Sequence, residues 1–171
     1  LEGGLKSTNR FLDNQLDYSN LNVTTGSYEN NELYSDHFIY KELIPAVYGM
    51  FTSKYKKLDF NFGLRAEQTF STIESETMNE TYKNDYLSFF PSAFFKYPLS
   101  PKSDLQLSYS RRVNRPDSRS LNPFIDYSDS LNIRKGNPFL LPEFTNALEL
   151  SNSLNVKEWN ITTSVFYRKT D

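Results

Sequence analysis

The sequence contains no cysteine, one histidine and one tryptophan in 171 residues. Without cysteine, these residues can form neither a disulfide bond nor a thiolate metal site. The formal net charge of -2 is too small to indicate a nucleic-acid partner, and we expect none. No run approaches the roughly 18 consecutive apolar residues that a transmembrane helix needs. The sequence therefore predicts no spanning helix.

Residues that could support catalysis are also scarce. His37 is the only histidine, and it lies in a polar stretch that predicts a solvated loop side chain. The sequence has no phosphate loop, nucleophile elbow or dinucleotide fingerprint. The segment 126–129 lacks the glycine and the bidentate glutamate of a calcium loop. We therefore expect no enzyme activity, no catalytic residue, no metal site and no cofactor.

Aromatic residues, by contrast, are abundant. They make up 16% of the chain, with 12 Tyr and 14 Phe, although the mean hydropathy is only -0.63. These residues favour strands, and several stretches alternate apolar and polar side chains as a strand with two unlike faces would. The clearest is 58–70, where Phe62 and Leu64 alternate with Gly63 and Arg65.

About seven such strands are predicted, and the connections between them alternate in length. The strands fall near 1–8, 42–54, 58–70, 85–97, 105–113, 143–154 and 159–168. Three connections are long and polar, at 9–40, 71–84 and 114–142, and three are short, at 55–57, 98–103 and 155–158. Outer-membrane barrels have this alternation, because their periplasmic turns are short and their external loops are long.

These features predict an all-β fold: an antiparallel up-and-down meander of about seven long strands, forming an arc of a larger transmembrane β-barrel. Seven strands cannot close a barrel, since the smallest has about eight. We therefore expect residues 1–171 to be a partial barrel domain whose plug and remaining strands are absent. The alternative is a soluble extracellular β-sandwich that binds carbohydrate or protein. The residues that would face lipid in the barrel, and a shared core in the sandwich, are Phe60, Phe62, Leu64, Leu105, Leu107, Ile161 and Val165.

Short motifs between residues 105 and 143 carry a family resemblance. They are 105–112, Asn114-Arg115-Pro116, Leu121-Asn122-Pro123-Phe124, Asp126-Tyr127-Ser128-Asp129, Asn132-Ile133-Arg134, Gly136-Asn137-Pro138 and Leu141-Pro142-Glu143. The series resembles the barrel domain of TonB-dependent outer-membrane receptors, in the outer-membrane β-barrel family. Residues 1–6 and 63–67 resemble earlier strands of the same barrel.

The resemblance implies a barrel of about 22 strands in a Gram-negative outer membrane. Such a receptor binds and imports a large or scarce substrate, for example a glycan, a peptide or a metal chelate. The implied partners are outer-membrane lipid and, through the full-length parent, a plug domain and the TonB complex, with a surface lipoprotein as a further candidate. The sequence itself contains no plug, no TonB-contacting segment and no terminal aromatic strand.

Charged residues inside the predicted strands indicate a polar lumen. Arg65, Glu67, Glu149 and Arg168 lie out of phase with the apolar residues. An arginine facing lipid at mid-depth would cost about 2–4 kcal/mol, so these residues are predicted to face the lumen. There they either pair with each other or a plug, or are simply hydrated. Arg111 shares the apolar phase and is predicted to lie at the outer rim or after a bulge.

The long connection after residue 114 combines aromatic and hydrogen-bonding side chains, which suit capture of a polar ligand. They equally suit packing of one loop on another, which is the favoured interpretation. The candidate ligand-binding residues are Arg119, Asn122, Phe124, Asp126, Tyr127, Asp129 and Arg134.

Overall fold

The computed structural model describes residues 1–127 and 131–171, and it is 74% strand and 2% helix. The strands are β1 (Glu2–Leu16), β2 (Ser19–Asn22), β3 (Ser27–Asn30), β4 (Asp36–Tyr55), β5 (Leu58–Ser75), β6 (Glu80–Ser100), β7 (Ser103–Asn114), β8 (Ile125–Asp126), β9 (Arg134–Lys135), β10 (Glu143–Val156) and β11 (Trp159–Thr170). A short helix, α1 (Ser118–Leu121), follows β7.

Seven of the strands form one sheet, in the order β1-β4-β5-β6-β7-β10-β11. Every neighbouring pair is antiparallel. The pairs β2–β3 and β8–β9 are small hairpins within the two long connections. The predicted all-β meander of about seven strands, an arc of a larger barrel, is confirmed.

The two ends of the sheet carry different connections. At the turn end, β4–β5, β6–β7 and β10–β11 are joined through 56–57, 101–102 and 157–158. Lys56 and Lys157 have φ of 54° and 53° there, in the left-handed region. At the loop end, the connections are 17–35, 76–79 and 115–142. The predicted long loop at 71–84 is therefore wrong, because the described connection is four residues long.

The strands run further toward the loop end than the sequence predicts. Residues 9–16 belong to β1, 71–75 to β5 and 80–84 to β6. Pairs such as Thr72 with Lys83 continue the ladder there. Ladder hydrogen bonds join backbone groups and require no alternation of apolar side chains. Strand ends made mostly of polar residues therefore cannot be recognised from an alternating sequence pattern. Strands of 12 to 21 residues exceed the roughly 9–11 needed to cross hydrocarbon and must project beyond it.

One face of the sheet is apolar and uncovered. Directly paired residues of antiparallel strands share a face of the sheet. The register therefore places one apolar residue of each strand on a common face, here named the apolar face: Leu5, Val47, Leu64, Phe89, Leu107, Leu150 and Val165. They are 38 to 85% exposed. The seven diagnostic residues from Phe60 to Val165 all lie on this face. A β-sandwich would bury them, so the sandwich alternative is ruled out for the described residues.

The buried residues lie instead on the opposite face, here named the polar face, which also carries Arg65 and Glu67. Phe38, Tyr40 and Ile73 are 2%, 6% and 0% exposed, at the loop end of β4 and β5. They are covered because the connection 115–142 folds back onto them. The core of the described chain thus sits where this connection meets the polar face.

Candidate ligand-binding site

The connection after β7 begins with a capped helical turn. Oδ1 of Asp117 accepts a hydrogen bond of 2.9 Å from the backbone N–H of Ser120, which satisfies a donor that the first turn of α1 leaves unpaired. This hydrogen bond lowers the pKa of the Asp117 carboxyl group. The cap holds α1 at the point where the chain turns from the sheet toward the polar face.

Leu121, the last residue of α1, anchors the connection. Its side chain is 4% exposed and packs with Phe38, Tyr40 and Ile73. Tyr82 packs against the same cluster. Burying a leucine side chain stabilises by about 1.5–3 kcal/mol. Leu121 therefore anchors the start of the connection onto the sheet.

Arg115 provides a second anchor at the base of the connection. Its Nη2 donates to Oε2 of Glu67 at 2.7 Å and to the Thr69 hydroxyl at 3.3 Å. Its Nε donates to the Tyr86 hydroxyl at 3.2 Å. Oε1 of the same Glu67 lies 2.9 Å from Nε of Arg65. Glu67 is only 8% exposed. The two guanidinium groups offset the unfavourable burial of its negative charge.

The middle of the connection closes on itself around Asn122. The backbone N–H of Gly136 donates to the Asn122 carbonyl at 2.8 Å, and that of Asn137 donates to the Ser120 carbonyl at 2.7 Å. A Cβ at Gly136 would lie 2.5 Å from the Asn122 carbonyl oxygen. Only glycine allows this approach. The Asn122 side chain is thereby aimed at β4, where its Nδ2 donates to Oδ2 of Asp36 at 2.7 Å.

A cleft of about 690 Å³ opens beside Asp36 at the loop end. Its carboxylates come from the connection 17–35, from β4 and from the connection 76–79, and we name it the acidic cleft after them: Asp17, Glu32, Asp36 and Glu76. Lys135 and His37 are the basic residues that line it. Leu33, Phe124 and Tyr127 give it apolar and aromatic walls. The cleft is therefore amphipathic, with an excess of negative charge.

His37 is not the solvated loop residue that the sequence predicts, because it lies in β4. Its Nε2 is 2.8 Å from Oδ1 of Asp13, and its Nδ1 is 2.7 Å from Oε2 of Glu76. The hydrogen bond to Asp13 raises the pKa of His37, and that to Glu76 adds to the effect, while burial opposes it. His37 thus links β1 to the connection between β5 and β6.

The predicted ligand-binding residues divide between two neighbouring cavities. A cavity of about 640 Å³ is lined by these five of them: Arg119, Asn122, Phe124, Asp126 and Arg134. Phe124 and Tyr127 line the acidic cleft. The Tyr127 ring also packs edge-on against that of Tyr34, with centroids 5.5 Å apart, so loop packing and cavity lining coexist. Asp129 lies outside the described residues.

The predicted lumen-facing residues all lie on the polar face, in register. Arg65 and Glu67 form an ion pair. Glu149 and Arg168 lie further along the sheet, on β10 and β11, where Arg168 stacks over Phe166 at 5.2 Å. That this face lines a lumen remains a prediction. Arg111 continues the ladder without a bulge, paired with Asn146, and its guanidinium stacks over Phe144 at 4.6 Å.

Sequence reasoning missed the residues that enclose the acidic cleft. Asp17 and Glu32 lie 15 residues apart in the connection 17–35, Glu76 lies in the connection 76–79, and the three share no local pattern. Their proximity depends on the register of β1, β4 and β5, which alternation alone does not fix at polar strand ends. Leu121 did carry a signal: it is an isolated apolar residue between Ser120 and Asn122.

Comparison with known proteins decides the family. The model of the "Outer membrane protein beta-barrel family" matches residues 1–171. The chain belongs to this family. Membership in the outer membrane protein beta-barrel family places the chain in the outer membrane. No curated protein matches the chain.

Solved structures share the fold of this family member at low sequence identity. The copper transporter OprC matches with a TM-score of 0.57 and 15% identity, over 96% of this chain and 26% of that one. A double mutant of the Serratia marcescens hemophore receptor HasR, in complex with HasA and heme, matches with a TM-score of 0.58 and 16% identity. That match covers 98% of this chain and 33% of HasR. The chain thus spans a quarter to a third of these barrel proteins.

No helix in residues 1–127 and 131–171 is long and apolar enough to span a membrane. The same residues contain no group of three or more His, Asp or Glu side chains arranged to hold a metal ion.

Proposed function

We propose that this chain is part of the barrel wall of a TonB-dependent outer-membrane receptor, which binds and imports a large or scarce substrate. One observation carries the proposal: the apolar face is uncovered while the long connection 115–142 packs on the polar face. A barrel that served only as a membrane anchor would not need a folded connection with two cavities at its loop end. The sequence resemblance to TonB-dependent receptors adds to this support.

Within this proposal, the polar face lines the lumen. Arg65, Glu67, Glu149 and Arg168 face a plug domain contributed by the full-length parent. The partners are outer-membrane lipid around the apolar face, the plug inside, the TonB complex below and a surface lipoprotein above. The fold is similar to those of a copper transporter and a hemophore receptor, which is consistent with uptake. The substrates of those two proteins are not assigned to this chain.

The substrate contacts the loop end in this account. The candidate residues Arg119, Asn122, Phe124, Asp126 and Arg134 surround one cavity, and Phe124 and Tyr127 line the acidic cleft. Glycans, peptides and metal chelates are the three substrate classes to compare, since each is too large or too scarce for passive entry.

Uptake by cells tests the proposal. Strains lacking the receptor gene, or lacking the TonB complex, are compared with the parent strain on media that supply glycans, peptides or chelated metal as the limiting nutrient. We expect both deletions to abolish uptake of the same substrate class. Uptake that needs the receptor gene but persists without the TonB complex would indicate a passive channel and contradict the proposal.

A further inference from the structure

A cavity of about 840 Å³ opens on the polar face, between β1 and the base of the connection 115–142. The pairing of β6 with β7 ends at Ser92 and Ser110, and both residues line the cavity where the two strands separate. Its volume lies within the roughly 300–1,000 Å³ that is usual for small-molecule sites. We name it the basic cavity after the six cationic residues that line it: Lys6, Arg10, Arg65, Arg111, Arg112 and Arg115.

Positive charge in the basic cavity exceeds the negative charge beside it. Glu67 is the only carboxylate among the described residues that line it, and Glu42 lies 3.5 Å from Nη1 of Arg10. These two carboxylates offset two of the six cations and leave four. The whole chain has a formal net charge of -2, so the local excess does not follow from composition. Charge complementarity therefore favours an anionic ligand group.

Three of the six cations have no polar partner in the described chain. The side chains of Lys6, Arg111 and Arg112 form no hydrogen bond or ion pair with another described residue. Lys6 and Arg112 are exposed, so a ligand in the cavity can reach them. These two residues thus supply accessible positive charge that no described group already neutralises.

Stacking on aromatic rings holds two guanidinium groups in place. The Arg65 guanidinium lies 4.8 Å from the centre of the Phe90 ring, and that of Arg111 lies 4.6 Å from the centre of the Phe144 ring. The two rings are neighbours, with centroids 6.4 Å apart. Stacking uses the flat face of a guanidinium and leaves its N–H groups at the edge. Arginines oriented in this way suit the planar oxygens of carboxylates and the oxygens of phosphates.

We propose that the basic cavity binds a polyanionic group of the substrate, with clustered carboxylate or phosphate oxygens. This inference rests on the proposed function and narrows it, since it selects the anionic members among glycans, peptides and metal chelates. Arg115 both begins the connection 115–142 and lines the cavity. A substrate that enters at the loop end therefore meets the basic cavity next to the base of this connection.

Calorimetry on the purified full-length receptor tests the inference with matched probes. Propane-1,2,3-tricarboxylate carries three carboxylates, and its triamide has the same skeleton without charge. Contact with several unpaired cations should make the tricarboxylate bind at least about tenfold more tightly than the triamide. Inorganic pyrophosphate is the third probe. Preference for either anion over the triamide supports the inference, and the tighter of the two anions identifies the oxyanion.

Three variants separate ligand binding from folding. Lys6→Gln and Arg112→Gln remove exposed charges without partners, so each should leave the fold intact and weaken tricarboxylate binding about threefold. Lys54→Gln is the matched control and should change nothing, because Lys54 pairs with Asp59 near the turn end, outside the cavity.

Two results would overturn the inference. One is equal binding of the anions and the triamide, which an acidic plug segment already seated in the cavity would also produce. The other is an anion affinity that neither Lys6→Gln nor Arg112→Gln changes. TonB-dependent uptake of an uncharged or cationic substrate would overturn the inference as well, while leaving the proposed function standing.

Discussion

Nη2 of Arg115, in the first residue after β7, lies 2.7 Å from Oε2 of Glu67 on β5. The pair joins the base of the connection 115–142 to the polar face, two strands away in the sheet order. Both side chains are largely buried, at 17% and 11% exposure. Removing the guanidinium leaves a buried carboxylate that only Arg65 partly compensates.

Arg115→Ala should therefore loosen the connection without unfolding the sheet. We expect cleavage by trypsin after Arg119 to accelerate about tenfold, which corresponds to a loss of about 1.4 kcal/mol. Mass spectrometry of timed digests measures the rate. Lys54→Ala is the control, because its ion pair with Asp59 is exposed and distant from Arg119. Equal cleavage rates in Arg115→Ala and the unmodified receptor would show that this pair does not hold the connection.

Leu121→Ala removes the apolar anchor of the same connection. We expect the opening free energy to fall by about 2 kcal/mol, near the lower end for buried leucine, because the connection can settle into the space. The Gly136 and Asn137 amides, which donate to carbonyls of 120–122, should lose about thirtyfold of their hydrogen-exchange protection. Leu141→Ala is the control, since Leu141 is 73% exposed. Unchanged protection in Leu121→Ala would contradict the anchoring role.

The loop end should be more stable at mildly acidic pH because of His37. The hydrogen bond to Asp13, and then that to Glu76, raise the pKa of His37 above its ordinary value of 6.5. The stabilisation is thus fully present below pH 6.5 and is lost as the pH rises through the higher folded-state pKa. Exchange of the Glu76 amide, which donates to the His37 carbonyl at 3.0 Å, should be faster at pH 8 than at pH 6 after correction for intrinsic rates. His37→Gln should remove this dependence, and a dependence that survives the substitution must come from another group.

A charge on the apolar face should impair insertion into the membrane. Leu64 lies mid-strand on that face and is 53% exposed. Leu64→Arg should cost about 2–4 kcal/mol in the bilayer and reduce the folded barrel recovered from outer membranes, measured by its shifted gel mobility without heating. Asn61→Arg, on the polar face of the same strand, should leave recovery unchanged. Equal loss in both variants would mean that the two faces do not differ in environment.

Alternation predicted the apolar face correctly because successive residues of a strand point to opposite faces of the sheet. Leu64 and Arg65 are neighbours in sequence, and they lie on the apolar and the polar face respectively. The two-residue turns at 56–57 and 157–158 were also predicted within a residue or two. These features are local, so a single sequence carries them.

The loop end was predicted poorly because its determinants are distant in sequence. Residues 71–75 and 80–84 pair as strands, although each segment has only one large apolar or aromatic residue, Ile73 or Tyr82, among polar ones. The Asp36–Asn122 hydrogen bond joins positions 86 residues apart. The acidic cleft depends on both the extended strands and this hydrogen bond, and no local sequence motif predicts either of them.

The central claim is that the apolar face meets lipid and the polar face meets water. Single cysteines at Leu107 and Ser108 test it most directly, because the two neighbours point to opposite faces of β7 and the chain has no native cysteine. A thiol reagent confined to the bilayer should label Leu107→Cys and spare Ser108→Cys in the full-length receptor. Labelling of Ser108→Cys with Leu107→Cys protected would contradict the account.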